Sequence, residues 1–372
     1  MSKKIRKVIQ FYFKKFFQFF FKILHGHVHT IINANECRNI NVSKVHLENI
    51  NYKVFIVIDG RLYTDRINDA AVIVNNKLIE GPSYQLRSKV GDEFSPRNNS
   101  AAKNNIVLTK GTPRFKKKID KTILSLLSGG GANKNYFHWL FDVLPRIHLV
   151  ESLKDYQAPY DLFCPDYELS YQKQTLNLLG FDKKRIISSR KNRHLQFKKL
   201  LVTDHPYNII GDTKIDHQNI PKWISIWLRD KFLSFNKNNI KFEKIFIDRR
   251  DVDPENLANR RIENDLELRQ MLLNHNYKFV KLQEFSFEDQ ISIFSNAKKI
   301  IGLHGAGFAN IVFCKPGTEV IEIRTNTTNK IIESIALLNK LNFKGLEFDT
   351  INSKDKQNGI IKVSIDVIKK SI

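Results

Sequence analysis

"KIIGLHGAGFANIVF", residues 299–313, carries the reading of the fold. It opens as a short apolar run of strand type, packs three glycines and a histidine into residues 302–307, and continues as an apolar segment of helical spacing. A strand, "EVIEI" (319–323), follows. The same alternation extends upstream. "KIFIDRR" (244–250) and "KFVKL" (278–282) read as strands, and "IENDLELRQMLLNHN" (262–276) and "SFEDQISIFSNA" (286–297) as helices, the second capped by Ser286. Strands that alternate with helices of this length imply a parallel sheet covered on both faces.

At 372 residues the chain suits two domains, and 42% hydrophobic content is enough to give each a core. A β-rich opening over residues 30–120 includes "YKVFIVID" and "DAAVIVNNKLI". From "KTILSLLSGG" (121–130) onward strands and helices alternate, with a strand at 121–127 and a helix from about Asn135 to Leu153. The expected division is an N-terminal segment 1–30, a first lobe 31–237, a second lobe 238–350, and a tail 351–372 that folds back on the first lobe.

Sixty-one Lys and Arg against thirty-eight Asp and Glu give a formal net charge of +23. Such a surface favours polyanions: nucleic acid, anionic lipid, or phosphorylated and acidic substrates. No RNP, helix-turn-helix or zinc motif is present and the lysines are spread along the chain, so nucleic acid is not the expected partner. The three cysteines, Cys37, Cys164 and Cys314, are scattered and form no CxxC pair, which argues against a disulfide framework or structural zinc. Residues 1–24 hold seven Lys/Arg, no acid and eight Phe/Tyr. Wound at about 100° per residue, the lysines gather on one side and most of the aromatics on the other, with Phe11 and Phe21 left on the polar side. Lysines interrupt the segment too often for a spanning helix. The pattern predicts a helix over residues 3–24 lying on an anionic membrane surface.

Three segments bear chemistry. In the opening stretch, a helix that starts at the carboxyl end of a parallel strand presents free N–H groups and suits a phosphate, and Gly305 and Gly307 would let the backbone approach it. A tight structural turn explains the same glycines. The spacing fits neither the dinucleotide fingerprint nor the P-loop. Arg249, Arg250, Arg260 and Arg261 flank the end of "KIFI" and the following helix, where an arginine can bind phosphate or simply pair with neighbouring acids. Asp251 and Asp253 form a DxD triplet, a motif that can hold Mg²⁺ but that chance explains better. In "NKNYFHWLFDVLPRIHLVE" (133–151), Asn135, His138 and Asp142 fall on one helical face. A His with an Asp one turn on is what a general base and its orienting carboxylate require. Pro145 should kink or end that helix.

Together, "GGGANKNYFHWLFDVLPRIHLVE", "IFIDRRD…RRIENDLEL" and "EFSFEDQISIFSNAKKIIGLHGAGFANIVFCKPGTEVIEI" resemble glycosyltransferase family 61, whose bacterial members are described as capsular polysaccharide biosynthesis proteins. The resemblance spans roughly residues 120–325. It implies a GT-B fold of two Rossmann-like lobes and an inverting, metal-independent transfer from a nucleotide-sugar, with no cofactor. A UDP-sugar is the expected donor, and a growing surface glycan, free or on a lipid carrier, the expected acceptor. The resemblance places the donor diphosphate on Gly305, Ala306 and Gly307, helped by His304 and Arg249, with Arg250, Asn310 and Glu322 as further donor-side residues. It makes His138 the base, Asp142 its orienting carboxylate or the base itself, and Asn135 a third catalytic residue. The expected location is the inner face of the cytoplasmic membrane. The alternatives are a sugar-phosphate or nonulosonic-acid transferase of the same pathway, and a non-enzymatic basic protein that binds membrane or nucleic acid.

Overall fold

The computed structural model describes residues 3–65, 69–85, 102–128, 134–207, 210, 213–250, 260–352 and 358–372. The chain is mixed α/β and divides into two compact units, residues 1–213 and 214–372. The division falls before the 237/238 position expected from sequence because the helix Lys222–Phe232 packs into the second unit. There Arg229 Nη1 donates to the carbonyls of Val312 and Cys314 at 2.6 and 2.8 Å, and Phe232 meets Phe287 edge-on at 5.0 Å.

The first unit carries one mixed sheet of eleven strands. The strands are β1 (Thr30–Asn33), β2 (Ile40–Leu47), β3 (Ile50–Ile58), β4 (Arg61–Thr64), β5 (Asp69–Val74), β6 (Lys77–Glu80), β7 (Tyr84–Gln85), β8 (Lys117–Ser125), β9 (Asp161–Cys164), β10 (Ile186–Ser188) and β11 (His194–Thr203). β8, β9 and β10 run parallel side by side, and β11 returns to lie parallel on the other side of β8. The order therefore reverses between β8 and β11. β11 also pairs antiparallel with β3 and β4, joining the parallel part to the opening β-rich part. Alternating side chains of these strands, including Val57, Leu62, Val72, Ile123, Leu195, Phe197 and Leu200, form the buried core of one face.

The helix expected over 135–153 forms in three pieces: Tyr136–His138, a wide turn Trp139–Val143, and Pro145–Glu151. Pro145 lacks an N–H, and its ring crowds the carbonyl four residues back. The preceding turn widens accordingly, so that Leu144 N donates to Trp139 O, five residues away, at 3.1 Å.

The second unit holds five parallel strands: β12 (Lys244–Ile247), β13 (Lys278–Val280), β14 (Lys299–Leu303), β15 (Glu319–Thr325) and β16 (Asn342–Phe348), in the order β13-β12-β14-β15-β16. This is the doubly wound order 2-1-3-4-5, which reverses between β12 and β14. Ser286 caps the helix Phe287–Asn296 by accepting from Asp289 N, as its sequence predicts. The tail, expected to fold back on the first lobe, belongs to the second unit. Ile361, Val363 and Ile368 are buried in the second unit's core with Leu268, Ile301 and Ile323, and Asn264 brackets Val363 through its carbonyl and N–H. The tail's apolar spacing is what buries it there, against the helix Asp265–Asn274.

Candidate active site

In an open α/β sheet, ligands collect beyond the carboxyl ends of strands where the order reverses. Each unit has such a point, and each carries a polar cluster there.

In the first unit, the segment after β8 brings His138 and Asp142, and the residues after β11 bring His205. His138 Nδ1–H donates to Asp142 Oδ2 at 3.0 Å. His205 Nε2 lies 3.3 Å from the same oxygen. The Asp142 carboxylate is buried between the two rings, while the His138 side chain is 27% exposed. With Nδ1–H on the carboxylate, the neutral tautomer of the His138 ring carries its lone pair on Nε2. Arg146, itself buried, donates through Nε to the Asp142 carbonyl at 3.0 Å and through Nη1 to Thr203 O at 3.1 Å, tying the widened turn to the end of β11. Asn135 caps the short helix by accepting from His138 N at 3.3 Å. It positions His138 through the backbone.

In the second unit, β12 ends in Asp248–Arg250 and β14 runs into His304. The His304 carbonyl accepts from both Arg249 Nη1 at 2.6 Å and Arg260 Nη1 at 3.0 Å, so two guanidinium groups converge beside the glycine-rich turn. Ala306 begins a 3₁₀-helix that runs to Phe313, and its first N–H groups have no partner within the helix. His304 is buried; Nδ1 meets Glu322 Oε1 at 2.5 Å, and Glu322 in turn accepts from Arg324 Nη1 at 3.1 Å. Burial pulls the His304 imidazole below its ordinary value; Glu322 opposes this, while Arg260 and Arg249 reinforce it. Burial also lowers Arg260 to about 10, with Arg249 acting the same way, so Arg260 remains cationic at neutral pH. The turn therefore offers two cations, a neutral imidazole and backbone donors. Glu322, the carboxylate that meets His304, is fully buried and faces Arg324 and His304.

A family model, Glycosyltransferase 61, matches residues 136–321, half of the chain, a stretch that includes His138, Asp142, His205, Arg249, Arg260 and His304. The chain belongs to glycosyltransferase family 61. No curated protein matches it. The protein is a glycosyltransferase enzyme, and in general terms it uses a nucleotide-sugar donor and a glycan acceptor.

Within this glycosyltransferase the structure brings together His138 and Asp142 in one unit and Arg249, His304, Gly305, Ala306 and Gly307 in the other. Several assignments change. Asn310 is fully buried and donates to Gln290 Oε1 at 2.9 Å, because the 3₁₀-helix turns it into the core; it does not face the turn. Arg250 directs Nε and Nη2 at the buried Asp248, whose carboxyl burial alone would raise but which Arg269 and Arg250 hold down at about 2. Glu322 acts through His304. The glycines also have a packing cause. A Cβ on Gly305 would come within 3.1–3.3 Å of the Arg249 guanidinium, and one on Gly307 within 2.8 Å of Leu282 Cδ1 and 3.1 Å of Ile247 Cγ2. They make room for an arginine and for close packing of the 3₁₀-helix on β12. Asp251 and Asp253 lie outside the described residues.

Two residues were not assigned to the site from sequence. Arg260 was one of four candidate arginines, and the contact that singles it out joins positions 44 apart. His205 carries one local signal, "DHP" directly after "KKLLVT", a histidine at the carboxyl end of a strand.

Proposed function

We propose that this enzyme transfers a sugar, with inversion and without a metal, from a UDP-sugar to a hydroxyl of a growing capsular or lipopolysaccharide-type glycan. The observation that supports this most is the convergence of Arg249 and Arg260 on the His304 carbonyl beside the turn Gly305–Gly307. In this reading the second unit holds the donor. The acceptor hydroxyl gives its proton to His138 Nε2 as its oxygen attacks the anomeric carbon. The bond from that carbon to the diphosphate breaks, and UDP leaves carrying the negative charge. Arg249, Arg260 and the first N–H groups of the 3₁₀-helix meet that charge, and preorganised donors of this kind are the largest source of stabilisation in such reactions. Asp142 holds His138 in the receptive tautomer and faces the imidazolium that forms. The proposal includes a GT-B layout, with the first unit serving the acceptor.

It also includes an acceptor carried at the inner face of the cytoplasmic membrane, with the N-terminal helix Lys3–His25 lying on that surface. Ile5, Val8, Ile9, Phe13, Phe16, Phe19 and Ile23 of this helix are all more than half exposed. No helix among the described residues is long and apolar enough to cross a membrane.

The test is a thermal-shift and calorimetric titration with UDP, UMP and CMP, with and without EDTA, followed by NMR of the product's anomeric configuration. UDP should stabilise the protein in the presence of EDTA, and transfer should invert the anomeric centre. Binding that requires a divalent cation, preference for UMP or CMP, or retention of configuration would each overturn the corresponding part.

A further inference from the structure

At the end of the first sheet opposite His138, where β8 and β11 begin, lies a pocket of 290 Å³. Among the described residues Arg114, Lys117, Arg190, Lys191, Arg193 and His194 line it, and no carboxylate does. Five cationic residues drawn from two segments far apart in sequence border one small space. Arg190 pairs with Glu168 outside the lining, and Lys117 Nζ meets the Asn192 amide oxygen at 3.4 Å.

The wall of this pocket contains polar groups that are not satisfied. His194 is 1% exposed; its Nδ1 pairs with the Arg114 carbonyl at 3.0 Å, and its Nε2 is buried with no hydrogen-bond partner. Behind it, Arg61 is 8% exposed. Arg61 Nη1 donates to His25 O at 2.9 Å and Asn76 Oδ1 at 3.0 Å, while Nε and Nη2 are buried without partners. Buried polar groups in folded proteins are nearly always paired, and each one left bare costs about 1–3 kcal/mol. A cationic lining with a half-satisfied guanidinium at its back suits an anion.

The same pocket sits at the root of the N-terminal helix. Phe21, one of the two aromatics on the helix's polar side, is buried and meets Phe115 of the pocket edge-on at 5.0 Å. His25 Nε2 lies 3.1 Å from the Arg114 carbonyl, and its ring meets His194 at 4.8 Å. The last turn of the helix is thus fastened to the pocket, and its aromatic face is left uncovered: Phe13, Phe16 and Phe19 are 63%, 63% and 65% exposed. Phe115, on the pocket itself, is 68% exposed.

We infer that this pocket binds the phosphate group of an anionic phospholipid when the N-terminal helix lies on a bilayer. Aromatic side chains buried at the acyl boundary place the adjoining headgroups at the level of the helix's polar side, and there Arg114, Lys117 and Lys191 meet a phosphate without competing acids. The bound anion favours uptake of a proton from water by His194 Nε2, which then donates to a phosphate oxygen and so gains its missing partner. This inference rests on the membrane part of the proposed function and does not depend on the identity of the donor or acceptor.

The test is co-sedimentation of the full chain with vesicles of phosphatidylcholine alone and with about a third phosphatidylglycerol, at fixed ionic strength. Wild type is compared with a pocket pair, Lys117→Glu with Lys191→Glu, and a control pair of equal charge change in the second unit, Lys340→Glu with Lys344→Glu. A helix pair, Phe13→Glu with Phe16→Glu, completes the set. Wild type should prefer the anionic vesicles at least tenfold. The pocket pair should lose most of that preference while keeping its affinity for phosphatidylcholine and its transfer to a soluble acceptor. The control pair should lose little, and the helix pair should lose binding to both vesicles. Inorganic phosphate at millimolar concentration should displace wild type from anionic vesicles far less than added anionic vesicles do. Equal losses for pocket and control pairs would reduce the preference to overall charge and overturn the pocket. Saturation by inorganic phosphate alone would overturn the lipid assignment. Failure of wild type to bind any vesicle would overturn the membrane reading as well, and unaltered transfer would show that failure to be separate from catalysis.

Discussion

Asp142→Asn isolates the charge on which the proposed base depends. The carboxylate oxygen that receives His138 Nδ1–H at 3.0 Å also lies 3.3 Å from His205 Nε2, in a buried setting. When His138 takes the acceptor proton it becomes an imidazolium whose charge centre is about 4 Å from the carboxylate, and at an effective dielectric of about 20 that attraction is worth about 4 kcal/mol. Asparagine keeps the volume, and its oxygen can still accept from Nδ1–H, so part of the orientation survives. A loss of about 3 kcal/mol in the transition state is expected, which is a factor of 10²–10³ in kcat. Donor affinity should not change, since Asp142 belongs to the first unit and the arginines to the second. The assay is UDP release at saturating donor and acceptor, paired with calorimetric titration of UDP and a melting curve. A folded variant whose kcat stays within about threefold of wild type would refute the reasoning, as would a loss located in UDP affinity.

Three further outcomes are expected. Arg249→Ala should weaken UDP binding by at least tenfold, since a hydrogen bond to a charged group is worth about 1.5–3 kcal/mol; calorimetry reads it, and unchanged affinity removes Arg249 from the donor site. Phe232→Ala should cost about 3–5 kcal/mol in the second unit's stability, because the ring is fully buried between Phe287 and Phe313; a denaturant midpoint within error of wild type would contradict that packing. His194→Gln should flatten the acid loss of stability. Burial, with Arg61, His25 and Lys116 nearby, holds His194 at about 3 despite its bond to the Arg114 carbonyl, so between that value and the ordinary 6.5 the unfolded chain takes a proton the native one refuses. Stability therefore rises with pH across this window by on the order of 4 kcal/mol, and denaturation at pH 4 and 7 in phosphate-free buffer should show wild type losing more than the variant.

What the sequence alone determined follows from local chemistry. The alternation from "KIFIDRR" to "EVIEI" specifies strands and helices because apolar spacing and the Ser286 cap act over a few residues. Pro145 was readable as an interruption of its helix for the same reason. The glycine-rich turn could be placed at a strand's carboxyl end, and the basic aromatic helix at the amino terminus could be recognised from its charge distribution. Tertiary structure decided the rest, because it depends on partners distant along the chain. Only strand order places "KIFIDRR" beside "KIIGLHGAG", so only the fold brings Arg249 and Arg260 to one carbonyl and shows that Gly305 makes room for a guanidinium. Asn310 and Arg260 look alike as candidates in one dimension; a 3₁₀-helix buries the first and a long-range hydrogen bond fixes the second. His205 meets Asp142, and the basic pocket forms at the root of the N-terminal helix, through pairings of β8 with β11 that span some 80 residues. Apolar periodicity encodes which face a residue takes, but not which remote side chain will share it.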